Sequence, residues 1–194
     1  QGLTTGNTNT AVGLDALLKN TSGNSNTASG EDAMLENLTG SNNSAYGVHC
    51  MYNNTTSNGN AAVGASAMEF NTTGYYNAAV GYVSLYGNTT GSNNTCMGYA
   101  AGYGITTGAE NVMIGSGAYN AGNSNRNTVI GAYALGGGGS NGGNNTSIGY
   151  ATMYATTTGA DNNAIGSQSL RLNTTGSQNT TLGMYTGYSN TTGS

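Results

Sequence analysis

A glycine that follows a short apolar stretch recurs along this chain at positions 13, 30, 47, 64, 81, 98, 115, 131, 149, 166 and 183. The spacing is 17 residues six times, then 16, 18, 17 and 17, so one deletion and one insertion cancel over ten periods. A fixed short period restricts the fold more than any single motif does. One such unit cannot bury its own apolar face, and stacking is how units of this kind acquire a core. The whole chain, residues 1–194, is therefore read as a single repeat array.

Each unit carries the same residue types at the same offsets from that glycine. Four residues earlier stands an asparagine: Asn9, Asn26, Asn43, Asn60, Asn77, Asn94, Asn111, Asn127, Asn145, Asn162 and Asn179. One residue earlier the side chain is large and apolar, as in Val12, Val63, Met97, Ile114 and Leu182, with Ser29 the exception. Two residues earlier it is mostly small, as in Ala28, Ala45, Ala62 and Cys96. Three residues later it is small again (Ala16, Ala33, Cys50, Ala67), and four later it is large except at Gly102 and Gly187. A second corner follows, clearest as Asn71-Thr72-Thr73-Gly74 and Asn173-Thr174-Thr175-Gly176.

Two short apolar segments per unit, each closed by Gly or Asn, predict strand, turn, strand, turn. Gly and Asn suit corners because they tolerate positive φ. No segment keeps a period of 3.6 over a helix length. The predicted fold is all-β: a parallel β-solenoid, or β-roll, of about eleven coils of 17 residues with no helices. At ~4.8 Å per coil the rod would be roughly 50 Å long.

Stacking also gives the asparagines a purpose. A column of Asn becomes an amide ladder of the kind seen in cross-β stacks. Without such partners each buried amide would cost ~1–3 kcal/mol. The residues one and two before the glycine point to opposite faces of a strand. One column is large and apolar and the other small, so both faces read as buried. A thin coil has one interior, so the expectation is a homo-oligomer, either a trimer or a laterally packed fibre. A flattened single-chain solenoid is the alternative.

The unit Asn-Thr-Ala-Val-Gly-x-x-Ala-Leu, seen from Asn9 through Leu17, with Asn-Thr-Thr-Gly between copies, closely resembles repeats of bacterial surface adhesins and phage tail-fibre-like proteins. It is also similar to the heads of trimeric autotransporter adhesins, whose units have a shorter period. The resemblance covers the whole chain. It implies a parallel β-roll, often trimeric, in an extracellular fibre or adhesive head that attaches a cell or virus to a surface.

Composition narrows the function classes. Charged residues are 5% of the chain, against roughly 25% in a typical soluble domain. The net charge is -4, and Lys19, Arg126 and Arg171 are the cationic side chains, so no basic stripe exists for nucleic acid. Pro is absent, unlike in most disordered chains. No apolar run reaches the ~20 residues that span a bilayer. No signal peptide is visible, and a chain that begins at Gln1 reads as a processed product or a fragment.

Chemistry-bearing residues are few. His49 stands beside Cys50, but Cys50 and Cys96 occupy small-residue columns, so packing explains them. Nearly three coils separate the two thiols, beyond the ~7 Å reach of a disulfide. Asp15, Glu31, Asp32, Glu36, Glu69, Glu110 and Asp161 fall at scattered offsets rather than in the fixed column of a calcium solenoid. Glu31, Asp32 and Glu36 read as a solvated edge in preference to a cation site. The Gly run 136–139, continuing through Ser140-Asn141-Gly142-Gly143, lacks the Lys of a phosphate loop and reads as a bulged corner.

The motif Asn-x-Ser/Thr recurs at Asn20, Asn37, Asn71, Asn88, Asn173 and Asn190, in a corner expected to face solvent. These are candidate N-glycosylation acceptors, or simply good turn chemistry. Fourteen tyrosines, among them Tyr82, Tyr99 and Tyr150 right after the glycine, suit contacts with sugar or protein surfaces, or fill grooves between coils.

The expectation is a non-enzymatic extracellular fibre or adhesive rod that mediates surface attachment. It would have no catalytic residues, metal or cofactor, no nucleic-acid partner, no membrane insertion of this segment, and a cell-surface glycan or protein as receptor. The alternatives are a self-assembling extracellular filament subunit whose ends continue the stack, and, on the Thr pairs 72–73, 89–90 and 174–175, an ice-binding solenoid.

Overall fold

The computed structural model describes residues 5–119, 122–137 and 142–193. Eleven three-residue strands run in chain order: β1 (Thr10–Val12), β2 (Thr27–Ser29), β3 (Ser44–Tyr46), β4 (Ala61–Val63), β5 (Ala78–Val80) and β6 (Thr95–Met97), followed by β7 (Val112–Ile114), β8 (Thr128–Ile130), β9 (Thr146–Ile148), β10 (Asn163–Ile165) and β11 (Thr180–Leu182). They form one parallel sheet in sequential order, each pairing with the next. The described residues contain no helix. The fold is thus an all-β parallel solenoid.

Register follows the repeat. Ala62 lies beside Ala79 and Val63 beside Val80, and the pairing stays in phase through the short and long coils, with Ile114 opposite Ile130 and Ile130 opposite Ile148. The small column of the strand points inward: Ala28, Ala45, Ala62, Ala79, Cys96 and Ala164 are fully buried. The column after it points outward.

The second apolar segment is not a strand, contrary to the strand-turn-strand-turn expectation. It is a run of turns. The reason lies in its two neighbouring columns. Ala33 and Met34, Cys50 and Met51, Ala67 and Met68 are consecutive pairs in which both members are buried. A strand sends successive side chains to opposite faces. Here the larger residue takes left-handed φ instead (Met34 53°, Met51 53°, Met68 54°), and so does the residue two before it (Asp32 55°, His49 54°). Both side chains then reach the core. Backbone pairing survives because alternate N–H groups point up and down the stack. Asp32 N donates back to Leu14 O at 2.8 Å, and Met34 N donates forward to Cys50 O at 3.0 Å.

The two corner glycines serve different needs. Gly98 has φ +131°, and a Cβ there would lie 2.7 Å from the carbonyl oxygen of Gly115 in the next coil. Gly40, in the second corner, is absent from the left-handed region. It is needed because a Cβ would sit 2.5 Å from the Ser57 carbonyl oxygen. Positive φ is therefore demanded at the first corner alone of these two, and close approach of coils at both.

Core volume is conserved between coils rather than within each. Gly102 leaves its large-residue column empty, and Met113, in the normally small column of the next coil, fills the space. A Cβ on Gly102 would lie 3.2 Å from Met113 Sδ and 3.1 Å from Cys96 Sγ.

Candidate interaction surface

The asparagine column before the glycine is internal. Asn26 through Asn162 in this column are buried, and Asn9 and Asn179 at its ends are half-buried. In each step the Oδ1 of one Asn accepts from the backbone N–H of the next, as at Asn60→Asn43 (2.9 Å) and Asn77→Asn60 (2.8 Å). The side-chain Nδ2 of Asn77 also donates to Asn60 Oδ1 at 3.2 Å and to Gly91 O at 2.9 Å. The ladder crosses both length changes, with Asn127 N donating to Asn111 Oδ1 and Asn145 N to Asn127 Oδ1, each at 2.9 Å.

The second-corner asparagines turn inward, while the corner itself faces solvent through Thr39, Thr73, Thr90 and Thr175. Asn37, Asn71, Asn88 and Asn173 are fully buried, Asn20 nearly so, and Asn190 half-buried. From Asn20 through Asn54 to Asn88 the amides form a second ladder: Asn37 Nδ2 donates to Asn20 Oδ1 at 2.7 Å, and Asn88 Nδ2 to Asn71 Oδ1 at 2.8 Å. Except at Asn54, each also donates to the corner carbonyl three residues on, as Asn37 does to Gly40 O at 3.1 Å. In the folded coil the amides of Asn37, Asn71 and Asn88 are thus buried and hydrogen-bonded to their neighbours.

The remaining candidates sort by location. Cys50 and Cys96 are free and buried, and burial pushes the Cys50 thiol up to about 12 and raises that of Cys96 as well. Glu36 pairs with Lys19 at 2.6 Å, His49 lies 3.5 Å from Asp32, and Arg126 lies 3.4 Å from Glu110. Each pair bridges adjacent coils, and among the described residues no three His, Cys, Asp or Glu side chains gather as metal ligands do. Thr72 and Thr89 spend their hydroxyls on the next coil's carbonyls, at 2.9 and 3.0 Å, while Thr73 and Thr90 are exposed. Of the Gly-rich corner, positions 138–141 lie outside the described residues. No described helix is long and apolar enough to cross a membrane.

Solvent meets two ordered apolar features. The first is the outward column of the sheet. Val12, Tyr46, Val63, Val80, Met97, Ile114, Ile130, Ile165 and Leu182 are between 36% and 75% exposed. No charged residue occupies any of the eleven strands. Apart from Ser29, the column is a neutral apolar stripe along the length of the sheet.

The second feature is aromatic. Tyr82 and Tyr99 stack with centroids 6.0 Å apart, and Tyr86 and Tyr103 with centroids 5.0 Å apart and planes 6° from parallel. Phe70 meets the edge of Tyr86 at 4.9 Å. Further along, Arg171 lies between Tyr154 and Tyr188, 5.6 and 5.9 Å from their centroids, and donates from Nη1 to the Tyr188 hydroxyl at 2.9 Å. Such columns arise because residues 17 apart stack directly, so a repeated tyrosine becomes a row. Repetition in sequence was the signal for these rows, and it was visible only as scattered tyrosines until the coil phase was known.

Fold and surface together define a β-solenoid repeat protein with a regular, near-neutral exterior. No protein-family model, curated protein or solved structure matches the chain.

Proposed function

We propose that this chain is a segment of a non-enzymatic extracellular fibre or adhesive rod, in which several copies associate side by side along the outward column of the sheet and the assembly attaches to a surface. The observation that carries this reading is the neutral apolar stripe from Val12 to Leu182. Contiguous apolar patches of more than a few hundred Å² on a soluble surface mark interaction sites. A partner that covers this stripe must present apolar groups at the same ~4.8 Å rise. A second copy of the same solenoid does so rung for rung, and closed cyclic symmetry, as in a trimer, buries the stripe on every chain at once. The extracellular placement rests on the resemblance of the Asn-Thr-Ala-Val-Gly unit to adhesin and tail-fibre repeats.

The test is a double substitution on the stripe, Val80→Asp with Met97→Asp, in adjacent paired strands. Light scattering is expected to show dissociation to single chains with the solenoid's circular dichroism retained, and coated beads are expected to lose attachment. A wild-type particle that is already monomeric would overturn the lateral assembly. Unbroken fibres of indefinite length in micrographs would replace it with end-to-end filament growth.

A further inference from the structure

We propose that the break in the tyrosine column at Ser116, beside Gly117, is a binding site for a neutral saccharide chain, a reading that rests on the adhesive rod and gives it a receptor class. Tyr82 and Tyr99 occupy two successive rungs of one column, and the next rung is Ser116. Tyr99 therefore has a ring stacked on one face and only a short hydroxyl side chain beyond the other. Gly117, with φ +62°, supplies the floor. A Cβ there would lie 3.1 Å from Cδ1 of Tyr133, so the Tyr133 ring of the next coil lies directly against Gly117. The result is a cleft of about 370 Å³ walled by Tyr82, Tyr99, Tyr103 and Tyr133. That volume lies within the usual range of ligand sites, which is roughly 300–1,000 Å³.

The lining decides the class of ligand. Every charged residue is absent from the described lining, so no ionic group is called for. Each wall offers a flat apolar ring with a hydroxyl at its rim, an arrangement that suits a ligand with one apolar face and polar edges. A pyranose has that shape, with C–H groups on its faces and hydroxyls around its edge. An extended peptide is disfavoured because it binds by adding backbone hydrogen bonds to a free edge. Here the floor's backbone is already paired: Gly117 N donates to Tyr99 O at 2.8 Å and Tyr133 N to Ser116 O at 2.9 Å.

The experiment titrates the chain with neutral hexasaccharides built on glucose, N-acetylglucosamine or mannose, followed by calorimetry and tyrosine fluorescence. Glucose chains stand for free polysaccharide, the other two for surface glycoconjugates. Wild type is expected to bind at least one series. Ser116→Tyr restores the missing rung, a residue this column already accepts at Tyr82 and Tyr99, and so blocks the cleft without disturbing the coil. It is expected to weaken binding about tenfold or more, as is Tyr99→Ala, on the scale of one lost aromatic contact. Tyr76→Ala, an exposed tyrosine outside the cleft and its ring contacts, is expected to leave affinity within about twofold, a change well under 1 kcal/mol. Failure of wild type to bind any of the three series, or unchanged binding by Ser116→Tyr, overturns the site. Neither result alters the particle mass, so loss of the site is distinguishable from loss of the rod.

Discussion

The two asparagine columns look alike in sequence and behave differently in the fold. The column that begins at Asn9 runs unbroken to Asn179. The column that begins at Asn20 holds through Asn88 and stops at Ile105, where Asn88 Oδ1 has no partner among the described residues. Thr156 Oγ1 and Asn173 Oδ1, later in the same column, are likewise unpartnered. The difference lies in what each amide holds. The first column fixes a backbone N–H immediately before a strand, so every coil needs it to keep register. The second ties a corner whose contacts are duplicated: Gly74 O accepts from both Asn60 and Asn71. Both length changes fall in that corner, between Tyr119 and Ser124 and between Leu135 and Gly142. Strand phase is thus protected while corner length drifts.

The largest expected effect comes from breaking that protection directly. One residue inserted between Asn77 and Ala78 turns the inward and outward columns of β5 inside out. Loss of cooperative urea unfolding is expected. The same insertion between Thr39 and Gly40, in the second corner, is expected to cost only about 1–2 kcal/mol, because loop length adds little closure entropy and few bonds are lost. Equal damage from the two insertions would erase the distinction.

Next in size is Asn77→Ala. It strips the acceptor from Asn94 N, which donates to Asn77 Oδ1 at 2.9 Å, and leaves a buried N–H orphaned. A loss of about 2–4 kcal/mol is expected from urea titration. Asn71→Ala is expected to cost about 1 kcal/mol, since Asn88 Nδ2 keeps Gly91 O at 3.0 Å. The smallest effect has the opposite sign. Thr156→Val replaces a buried, unpartnered hydroxyl with a group of the same shape, and a gain of about 1 kcal/mol is expected in the same titration. A Thr156→Val variant less stable than the parent would mean that this hydroxyl is bonded in solution.

Much of the stack is legible in the sequence alone. The glycine period, the Asn column and the opposition of Ala79 to Val80 are side-chain patterns, and the sheet realises each of them. The second segment departs from a strand because two adjacent buried columns require left-handed φ, although apolar residues flanked by Gly and Asn suggest a strand. A signal was present. Gly102 and Gly187 sit among large residues at that offset, and both have positive φ, as do the leucines and methionines they interrupt. The inward turn of Asn37 and Asn71 is not legible in the sequence, because Asn-Thr-Thr-Gly is ordinary turn chemistry. Only the stacking distance, which brings Gly40 against Ser57, shows that the corner is packed. The cleft at Ser116 was invisible as a motif, since it is defined by a tyrosine that is missing from a row.

The inner columns of the sheet satisfy one chain completely, whereas the outer column does not. Val63 and Val80 stay more than 40% exposed although their neighbours Ala62 and Ala79 are fully buried. The most direct measurement is the mass of the particle in solution by light scattering at micromolar concentration. A small whole multiple of the 19.3 kDa chain, with three the closed arrangement expected, is the anticipated result. A mass of 19.3 kDa, unchanged by Val80→Asp with Met97→Asp, would contradict lateral assembly through the outward stripe.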